Sequence, residues 1–273
     1  MITIPIAIAN DRFRWQISFF EFQHKKIYKE DARSKSLILI VKRNFREEQL
    51  ISDVDWNITL PYKMVDSIYD IYPNIKSRNY NAINVYTSVL QIIDELDENE
   101  YIEIVDADMV HLRKFESLLP NEDEIYTDDI YENWHMFINS KNRYVIEKYL
   151  KHNDFCYMNG GWNSIGKVKT MKKLLPEIIE VSMDIVTNSE NELHRWWSGM
   201  FGLNVACHNQ RIKMTNHNSC YYPNINEIDL KKHHLAHYSC DPLFKKSEFP
   251  NIDFTKFKNN EFYNSIKEWL IKK

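Results

Sequence analysis

The chain has 273 residues, of which 44% are hydrophobic and 14% aromatic, and its formal net charge at pH 7 is -4. This length and apolar content indicate a folded protein with a sizeable core and exclude a disordered chain. The slightly acidic balance excludes a general electrostatic attraction to nucleic acid or to an anionic membrane.

The first third of the chain alternates apolar runs with amphipathic segments. Apolar runs predict strands at residues 2–9 and 36–41, and a further strand is expected at 55–61. Apolar residues at helical spacing predict helices over residues 13–28 and 81–96. Strands that alternate with helices are typical of a parallel sheet.

Residues 101–110 combine an apolar, β-branched run with two carboxylates, Asp106 and Asp108. The run predicts a buried strand of a parallel sheet, and such sheets bind ligands at the carboxyl ends of their strands. Two carboxylates there suit Mn²⁺ or Mg²⁺, which can also hold a diphosphate. One aspartate can bind the metal while the other binds a metal-bound water or a ribose hydroxyl. The alternative is that these aspartates only cap a helix or form a turn.

The rest of the chain is predicted to be less regular. Residues 112–129 are polar and loop-rich, residues 154–164 form a loop around two glycines, and residues from 204 onward are expected to be irregular. Further helices are predicted at residues 143–151, 167–187, 191–202 and 259–272. Because no repeat or linker divides the sequence, we expect one α/β domain with a mostly parallel central sheet flanked by helices.

The four cysteines, Cys156, Cys207, Cys220 and Cys240, have neither metal-site spacing nor the density of a secreted disulfide framework. We expect free thiols in a reducing compartment, with a Cys220–Cys240 bridge as the alternative. The apolar start is too short for a signal peptide, and no apolar run approaches the roughly 20 residues of a membrane span. We therefore expect a soluble, cytoplasmic protein.

Short groups of aromatic, amide and small residues follow one another along most of the chain. They are Phe13-Arg14-Trp15-Gln16, Asn79-Tyr80-Asn81-Ala82 with Val85, Gly161-Trp162-Asn163-Ser164 with Leu175-Pro176 and Val181-Ser182-Met183, Trp196 to Ala206 with Met200, and His237-Tyr238. In this order they resemble segments of the plant hydroxyproline O-arabinosyltransferase and peptidyl-serine galactosyltransferase group, which are nucleotide-sugar glycosyltransferases of the GT-A type. The resemblance implies a GT-A-like fold, with residues 1–108 as the nucleotide-binding half and 109–273 as the acceptor-binding half and C-terminal tail.

Two features depart from that group. Gly199 stands where the group carries a Glu before its Met, so a catalytic role of that Glu cannot be transferred to this chain. The eukaryotic members also carry a membrane anchor, and we expect none here, because no apolar run is long enough for one.

The resemblance implies a metal site with Mn²⁺ or Mg²⁺ as the cofactor. Asp106 and Asp108 would hold the metal and the ribose of a UDP-sugar, with Asp108 as the direct ligand, and His237 would complete the metal shell. His237 can instead be an ordinary surface or core histidine. A zinc site formed by His233, His234 and His237 is another alternative, although the Glu of the metalloprotease helix motif is missing.

The resemblance also implies sites for a donor and an acceptor. Besides Asp106, the donor-binding residues are expected to be Asn10, Trp15, Gln16, Arg78, Asn81, Lys245 and Lys246. The acceptor-binding residues are expected to be Trp134, Gly161, Trp162, Asn163, Trp196 and Trp197, since flat aromatic surfaces pack on sugar rings. Core packing explains each tryptophan equally well, and solvated lysines explain the lysine pair.

The stereochemistry of transfer decides whether a base is needed. An inverting enzyme needs a carboxylate that takes the acceptor proton, and Glu192, followed by Glu190, is the candidate. Both can equally be acidic residues of a helix first turn. A retaining enzyme needs no such base.

The sequence thus predicts a metal-dependent glycosyltransferase that moves a sugar, either a pentose such as xylose or arabinose or else galactose, from a UDP-sugar to a hydroxyl of a protein or glycan. Neither a nucleic acid partner nor a membrane span is expected. One alternative is a sugar-nucleotide nucleotidyltransferase, which should carry a glycine-rich loop after the first strand; residues 10–16 contain no glycine. The other is a non-catalytic carbohydrate-binding protein on the same fold.

Overall fold

The structure is a computed structural model that describes residues 1–29, 34–73, 75, 83–115, 118–128, 143–154, 163–217, 220–221, 233–238 and 261–272. Within these ranges the helices are α1 (Asp11–Tyr28), α2 (Ile68–Ile71), α3 (Ile83–Leu90), α4 (Val168–Asn188), α5 (Glu192–Trp196), α6 (Ser198–Asn209) and α7 (Glu261–Lys272). The strands are β1 (Ile2–Ile8), β2 (Lys35–Ser36), β3 (Ile38–Val41), β4 (Tyr62–Val65), β5 (Tyr101–Asp106), β6 (Met109–His111), β7 (Glu124–Thr127), β8 (Ser164–Lys167), β9 (Lys213–Asn216), β10 (Cys220–Tyr221) and β11 (Leu235–His237).

The main sheet has the strand order β4-β3-β1-β5-β8-β7-β9, with β2 paired to β1. Its pairs are parallel except for those of β8, which runs antiparallel to both β5 and β7. A smaller sheet joins β10, β11 and β6. This mixed α/β architecture with a mostly parallel central sheet confirms the predicted fold class.

Helices cover both faces of the main sheet. On one face, α3, α4 and α6 pack their apolar residues against β1, β3 and β5 in the largest core cluster. On the other face, α1 contributes Ile17 to a cluster with β1 and β3. Phe19 and Phe20 of the same helix pack with the small sheet and α7. The central strands are therefore buried on both faces, which explains their uninterrupted apolar sequences.

Several predicted elements are confirmed with small changes of their ends. The strands at residues 2–9 and 101–106 and the helices at 13–28, 167–187 and 259–272 are all present. Helix α1 begins where Asn10 caps it, because the Asn10 side chain accepts a hydrogen bond from the Arg12 backbone N–H at 2.9 Å.

The strand predicted at residues 55–61 is wrong, and β4 begins only at Tyr62. The backbone N–H groups of Thr59 and Leu60 donate instead to the Glu21 carboxylate, at 2.7 and 2.8 Å. Pro61 has no N–H to offer a strand ladder. The Glu21 side chain of α1 therefore accepts the backbone hydrogen bonds that these residues would donate in a strand.

Other predictions were wrong in extent or type. The helix predicted at 81–96 ends at Leu90 and is followed by a 3₁₀ turn at Ile93–Glu95, and the helix predicted at 143–151 consists of two 3₁₀ turns, Arg143–Val145 and Glu147–Tyr149. The helix predicted at 191–202 is divided into α5 and α6. The irregular region expected from residue 204 instead continues α6 to Asn209 and then forms β9. Strands β7 and β8 were not predicted.

Of the cysteines, Cys207 is buried and free, and burial raises the pKa of its thiol, which makes it unreactive. The other three thiols lie outside the described side chains. Among the helices that the structure describes, none combines the length and the apolar character needed to cross a bilayer.

Helices α4 and α6 approach closely at Gly202. A Cβ atom placed at Gly202 would lie 2.5 Å from the Ile178 carbonyl oxygen and closer still to the Ser182 hydroxyl. That hydroxyl is itself fixed, since it donates to the carbonyls of Ile178 at 2.5 Å and Ser198 at 3.0 Å. The contact between the two helices therefore requires a glycine.

We expect Gly202→Ala to lower the free energy of unfolding by about 1–3 kcal/mol, because the helices must separate to admit the methyl group. This loss exceeds the roughly 1 kcal/mol that alanine gains over glycine in helix propensity. Urea unfolding would measure it. Gly199→Ala in the same helix is the control, since its methyl group would meet only the ring edge of Tyr86. Equal stability of Gly202→Ala and wild type would contradict the close contact.

Candidate active site

Polar residues collect at one edge of the main sheet. Because β1, β3, β4 and β5 are parallel, their carboxyl ends share that edge, and the antiparallel β8 begins there. Asn10 follows β1, Asp106 ends β5 and Asn163 precedes β8. This is the edge at which open α/β sheets bind their ligands.

Asp106, Asp108 and His237 form a cluster at this edge, and their ligand atoms all lie within 4.8 Å of one another. Asp106 is the last residue of β5, and Asp108 lies in the turn that leads into β6. His237 arrives on β11, which pairs antiparallel with β6 and places His237 opposite Met109. The structure thus brings together the three residues that were predicted as metal ligands, and this group is called the acidic cluster below.

The acidic cluster is held by backbone contacts on both sides. The Tyr238 backbone N–H donates to the Asp108 carbonyl at 3.1 Å, and β1 pairs with β5 so that Ile6 lies opposite Asp106. His237 is almost fully buried, whereas both aspartates are partly accessible. A ligand can therefore reach the carboxylates from solvent while the imidazole stays fixed.

The predicted donor residues that are described lie on or just before α1. Asn10 is exposed and caps the helix, and Trp15 is half-buried with its ring centroid 5.7 Å from that of Tyr238. Gln16 is buried, and its side-chain oxygen has no hydrogen-bond partner among the described residues. A buried amide of this kind needs a partner, which a ligand can supply.

The predicted acceptor residues that are described have different environments. Asn163 is buried, and the register that pairs Ser164 with Ile104 carries Asn163 toward the Asp106 end of β5. Trp196 is 48% exposed, whereas Trp197 is 7% exposed and packs in a core cluster with Met200. The ring of Trp196 is therefore accessible to solvent, whereas that of Trp197 mainly serves packing.

Glu190 and Glu192 lie at the start of α5, and both are exposed. Glu190 lines a cleft of about 380 Å³ together with Tyr144 and His194. Glu192 occupies the first turn of α5, which Asn191 caps through a 2.9 Å bond from the Leu193 N–H. The remaining predicted site residues lie outside the described part of the chain: Arg78, Asn81, Lys245, Lys246, Trp134, Gly161 and Trp162.

Sequence reasoning missed Tyr86 of α3. Tyr86 is buried, hydrogen-bonds to Ser164 at the start of β8, and lies close enough to Asp106 for their charges to interact. Burial raises the pKa of Tyr86 above its usual range, so the phenol keeps its proton at neutral pH. Gly199 leaves room for this ring, since a Cβ atom there would lie 3.0 Å from it.

A second group of ionisable residues, Glu103, His111 and His234, is fully buried beside the acidic cluster. His111 Nε2 lies 2.8 Å and His234 Nε2 3.0 Å from the Glu103 carboxylate oxygens. His234 and His237 therefore belong to different groups, which argues against the zinc site considered for His233, His234 and His237. The sequence signal for this second group was a glutamate inside an otherwise apolar strand.

The protonation of this buried group follows from its contacts. Burial raises the pKa of Glu103. The charge of His111 and the hydrogen bonds from His111 and His234 together lower it by more, so the pKa of Glu103 lies well below its usual range. Glu103 is thus a carboxylate. Burial, helped by the charge of His111, lowers the pKa of the neighbouring His24 to about 4. His24 is therefore neutral in the folded protein at physiological pH.

Solved structures with the same architecture show which fold the chain has. A crystal structure of the galactosyltransferase LgtC, in complex with donor and acceptor sugar analogs, aligns over 100% of this chain and 96% of its own, with a TM-score of 0.57 and 11% identity. The apo structure of the bifunctional glycosyltransferase WbbM aligns over 98% of this chain and 49% of its own, with a TM-score of 0.56 and 12% identity. The fold is that of a GT-A glycosyltransferase.

The family follows from the sequence. The model of the hydroxyproline O-arabinosyltransferase family N-terminal domain matches residues 7–216, most of the chain. The chain therefore belongs to the hydroxyproline O-arabinosyltransferase family, as its resemblance implied, and it is a glycosyltransferase. The match includes Asp106 and Asp108 and ends before His237. A comparison with curated protein sequences gives no significant match.

We expect His24 to contribute a fall of about 2 kcal/mol in the free energy of unfolding between roughly pH 7 and pH 5. The unfolded chain takes up a proton at His24 near pH 6.5, whereas the folded protein does so only near pH 4, so acid favours unfolding. Because the pKa of Glu103 is lowered by folding, its carboxylate stabilises the folded protein above about pH 4.5, and this stabilisation is lost only in stronger acid.

Urea unfolding at a series of pH values would measure this dependence in wild type and in His24→Gln. We expect a shallower dependence in the variant. His208→Gln is the control, since His208 lies at the end of α6, outside this group. The same slope in wild type and His24→Gln would contradict the assignment to His24.

Proposed function

We propose that this glycosyltransferase moves a sugar from a UDP-sugar to a hydroxyl group of a protein or glycan, with a divalent cation held by Asp106, Asp108 and His237. The observation that carries the proposal is the acidic cluster itself. Two carboxylates and one imidazole converge within 4.8 Å at the carboxyl end of a central strand. The family match favours this function over the nucleotidyltransferase alternative.

The donor atoms fit a divalent cation. Carboxylate oxygen and imidazole nitrogen together suit Mn²⁺, and Mg²⁺ accepts the carboxylates. His237 Nε2 lies 3.4 Å from Asp108 Oδ1, which is longer than a typical hydrogen bond. Two ligands of one octahedral cation lie roughly 3 Å apart, so a small adjustment would let both side chains bind it.

The cofactor and the protein have separate tasks in this proposal. A bound Mn²⁺ or Mg²⁺ supplies Lewis-acid stabilisation of the charge that develops on the departing diphosphate. Asp108 and His237 would bind the cation directly, and Asp106 would hold it through a metal-bound water or bind the ribose. We assign the buried amide of Gln16, the half-buried ring of Trp15 and the side chain of Asn10 to the nucleotide.

We assign the binding of the nucleotide and the binding of the acceptor to different halves of the chain. Residues 1–108 supply β1, α1 and β5 with Asp106, and we assign the nucleotide to this half. Residues 109–273 supply β8 with Asn163, the exposed Trp196, and β11 with His237, and we assign the acceptor to this half and its tail. The complex of LgtC with both donor and acceptor sugar analogs supports two adjacent sites on such a fold.

The family match limits the choice of candidate sugars and acceptors. The family name specifies arabinose transfer to hydroxyproline, which supports a pentose such as arabinose or xylose and a protein acceptor. Galactose remains the alternative, in keeping with the activity of LgtC. These sugars differ by one hydroxymethyl group or one stereocentre, so a direct comparison of donors is needed.

The experiment that tests the proposed function is a panel of UDP-arabinose, UDP-xylose and UDP-galactose with Mn²⁺. Release of UDP and protection against thermal unfolding would be measured for each donor. We expect one pentose donor to be turned over fastest, with no turnover in the presence of a chelator. Binding of a donor without release of UDP would favour the non-catalytic carbohydrate-binding alternative and contradict the proposal.

We expect Asp108→Asn to lower turnover by more than about 10³-fold, because it removes a metal ligand and with it several kcal/mol of transition-state stabilisation. The melting temperature should change little, since Asp108 is partly accessible at the surface. Asp97→Asn is the matched control, because Asp97 is exposed in the turn at the opposite end of β5. Turnover of Asp108→Asn at the wild-type rate would remove the metal assignment.

We expect Glu192→Gln to lower kcat by about 10²–10⁴-fold if the reaction inverts configuration, since Glu192 is then the proposed base. Thermal protection by UDP and Mn²⁺ should be preserved in this variant. Glu190→Gln is the second variant, and NMR of the product anomer gives the stereochemistry independently. An inverted product together with full activity of both variants would show that the base is another residue.

A further inference from the structure

The buried group of Glu103, His111 and His234 has no part in the function proposed above, although it lies on the same three segments as the acidic cluster. The three segments are β5, the turn together with β6, and β11 together with the residues before it. Each segment contributes one residue to each group. The two residues are three positions apart in every case: Glu103 and Asp106, Asp108 and His111, and His234 and His237. The buried group thus fixes the same three segments that carry the acidic cluster.

We propose that His234, bound to the buried Glu103 carboxylate, is a positioning residue that holds His237 beside Asp108. The proposal rests on the assignment of the acidic cluster as the cation site. His234 touches neither donor nor acceptor in this account. It acts through the short segment that it shares with His237.

The hydrogen bonds of the buried group support this role. Glu103 Oε2 accepts from His111 Nε2 at 2.8 Å and from the Thr3 hydroxyl at 2.9 Å, and Glu103 Oε1 accepts from His234 Nε2 at 3.0 Å. All four side chains are at least 98% buried. Loss of one donor from a buried carboxylate is costly, so the group strongly resists displacement of any member.

Backbone bonds hold the segment that carries His234 and His237 against the segment that carries Asp108 and His111. The Leu112 N–H donates to the His234 carbonyl at 2.7 Å, and the Tyr238 N–H donates to the Asp108 carbonyl at 3.1 Å. Between these two bonds, β11 is a strand of only three residues. β11 pairs with β6 and β10 over these few residues, and the side-chain bond of His234 holds the same segment at a further point, just before the strand.

The distances favour hydrogen bonds over a second metal site. Two ligands of a tetrahedral zinc ion, each about 2.0–2.1 Å from the metal, lie roughly 3.3 Å apart. The separations here are 2.8 and 3.0 Å, and each carboxylate oxygen accepts from a donor already. A zinc ion bound by Glu103, His111 and His234 is therefore an outcome that would overturn the proposal.

The test compares His234→Asn with His234→Gln. Both variants carry an amide N–H donor, but only the longer glutamine reaches Glu103 as the imidazole does. Binding of Mn²⁺ would be measured by electron paramagnetic resonance with UDP present at saturation. We expect His234→Asn to weaken Mn²⁺ binding about 10–100-fold, an effect similar in size to the loss of a residue that hydrogen-bonds a metal ligand, and His234→Gln to stay within about twofold of wild type. The kcat at saturating Mn²⁺ should fall much less than the affinity.

The outcomes separate this proposal from the proposed function. If wild type binds Mn²⁺ and His234→Asn binds it equally well, the positioning role is overturned. If wild type and UDP bind no Mn²⁺, the cation site itself fails. Elemental analysis of purified wild type that found one equivalent of zinc, lost in His234→Asn, would also overturn the hydrogen-bonded anchor.

A milder variant covers the case in which His234→Asn does not fold. Thr3→Val removes the hydroxyl donor to Glu103 and keeps both histidine bonds. We expect it to weaken Mn²⁺ binding by a few-fold. Unchanged affinity in Thr3→Val would count against the proposal.

Discussion

The antiparallel pairing of β6 with β11 is the constraint on which the candidate site depends. It joins the turn that carries Asp108 to a segment near the other end of the chain, and it places His237 beside the two aspartates. The parallel sheet alone would leave two carboxylates at the end of β5. With the third side chain, the edge of the sheet gains the mixed oxygen and nitrogen donors that suit a divalent cation.

Local patterns were enough to predict the main elements of the fold and the two aspartates of the acidic cluster. The strands β1 and β5 follow from apolar runs, α1 follows from helical spacing, and the acidic pair follows from its place after a buried strand. These elements depend mainly on their own sequence. The family resemblance then added His237, which no local pattern distinguishes from other histidines of the tail.

The features that were missed depend on partners distant in sequence. Strands β7 and β8 have four residues each, and they are strands because they pair with each other and with neighbours in the sheet. Pairing of Glu103 with histidines from two other segments is likewise invisible locally. Its presence between Ile102 and Ile104 did signal that a buried charge needed partners, although the identity of the partners required the fold.

The most direct test of the cation site is a crystal structure of the protein with UDP and Mn²⁺. We expect one Mn²⁺ within about 2.3 Å of an Asp108 oxygen and of His237 Nε2, in contact with the diphosphate. The assignment of the cation site would be contradicted by a structure with bound UDP in which Mn²⁺ lies elsewhere and the carboxylates of Asp106 and Asp108 contact only backbone amides.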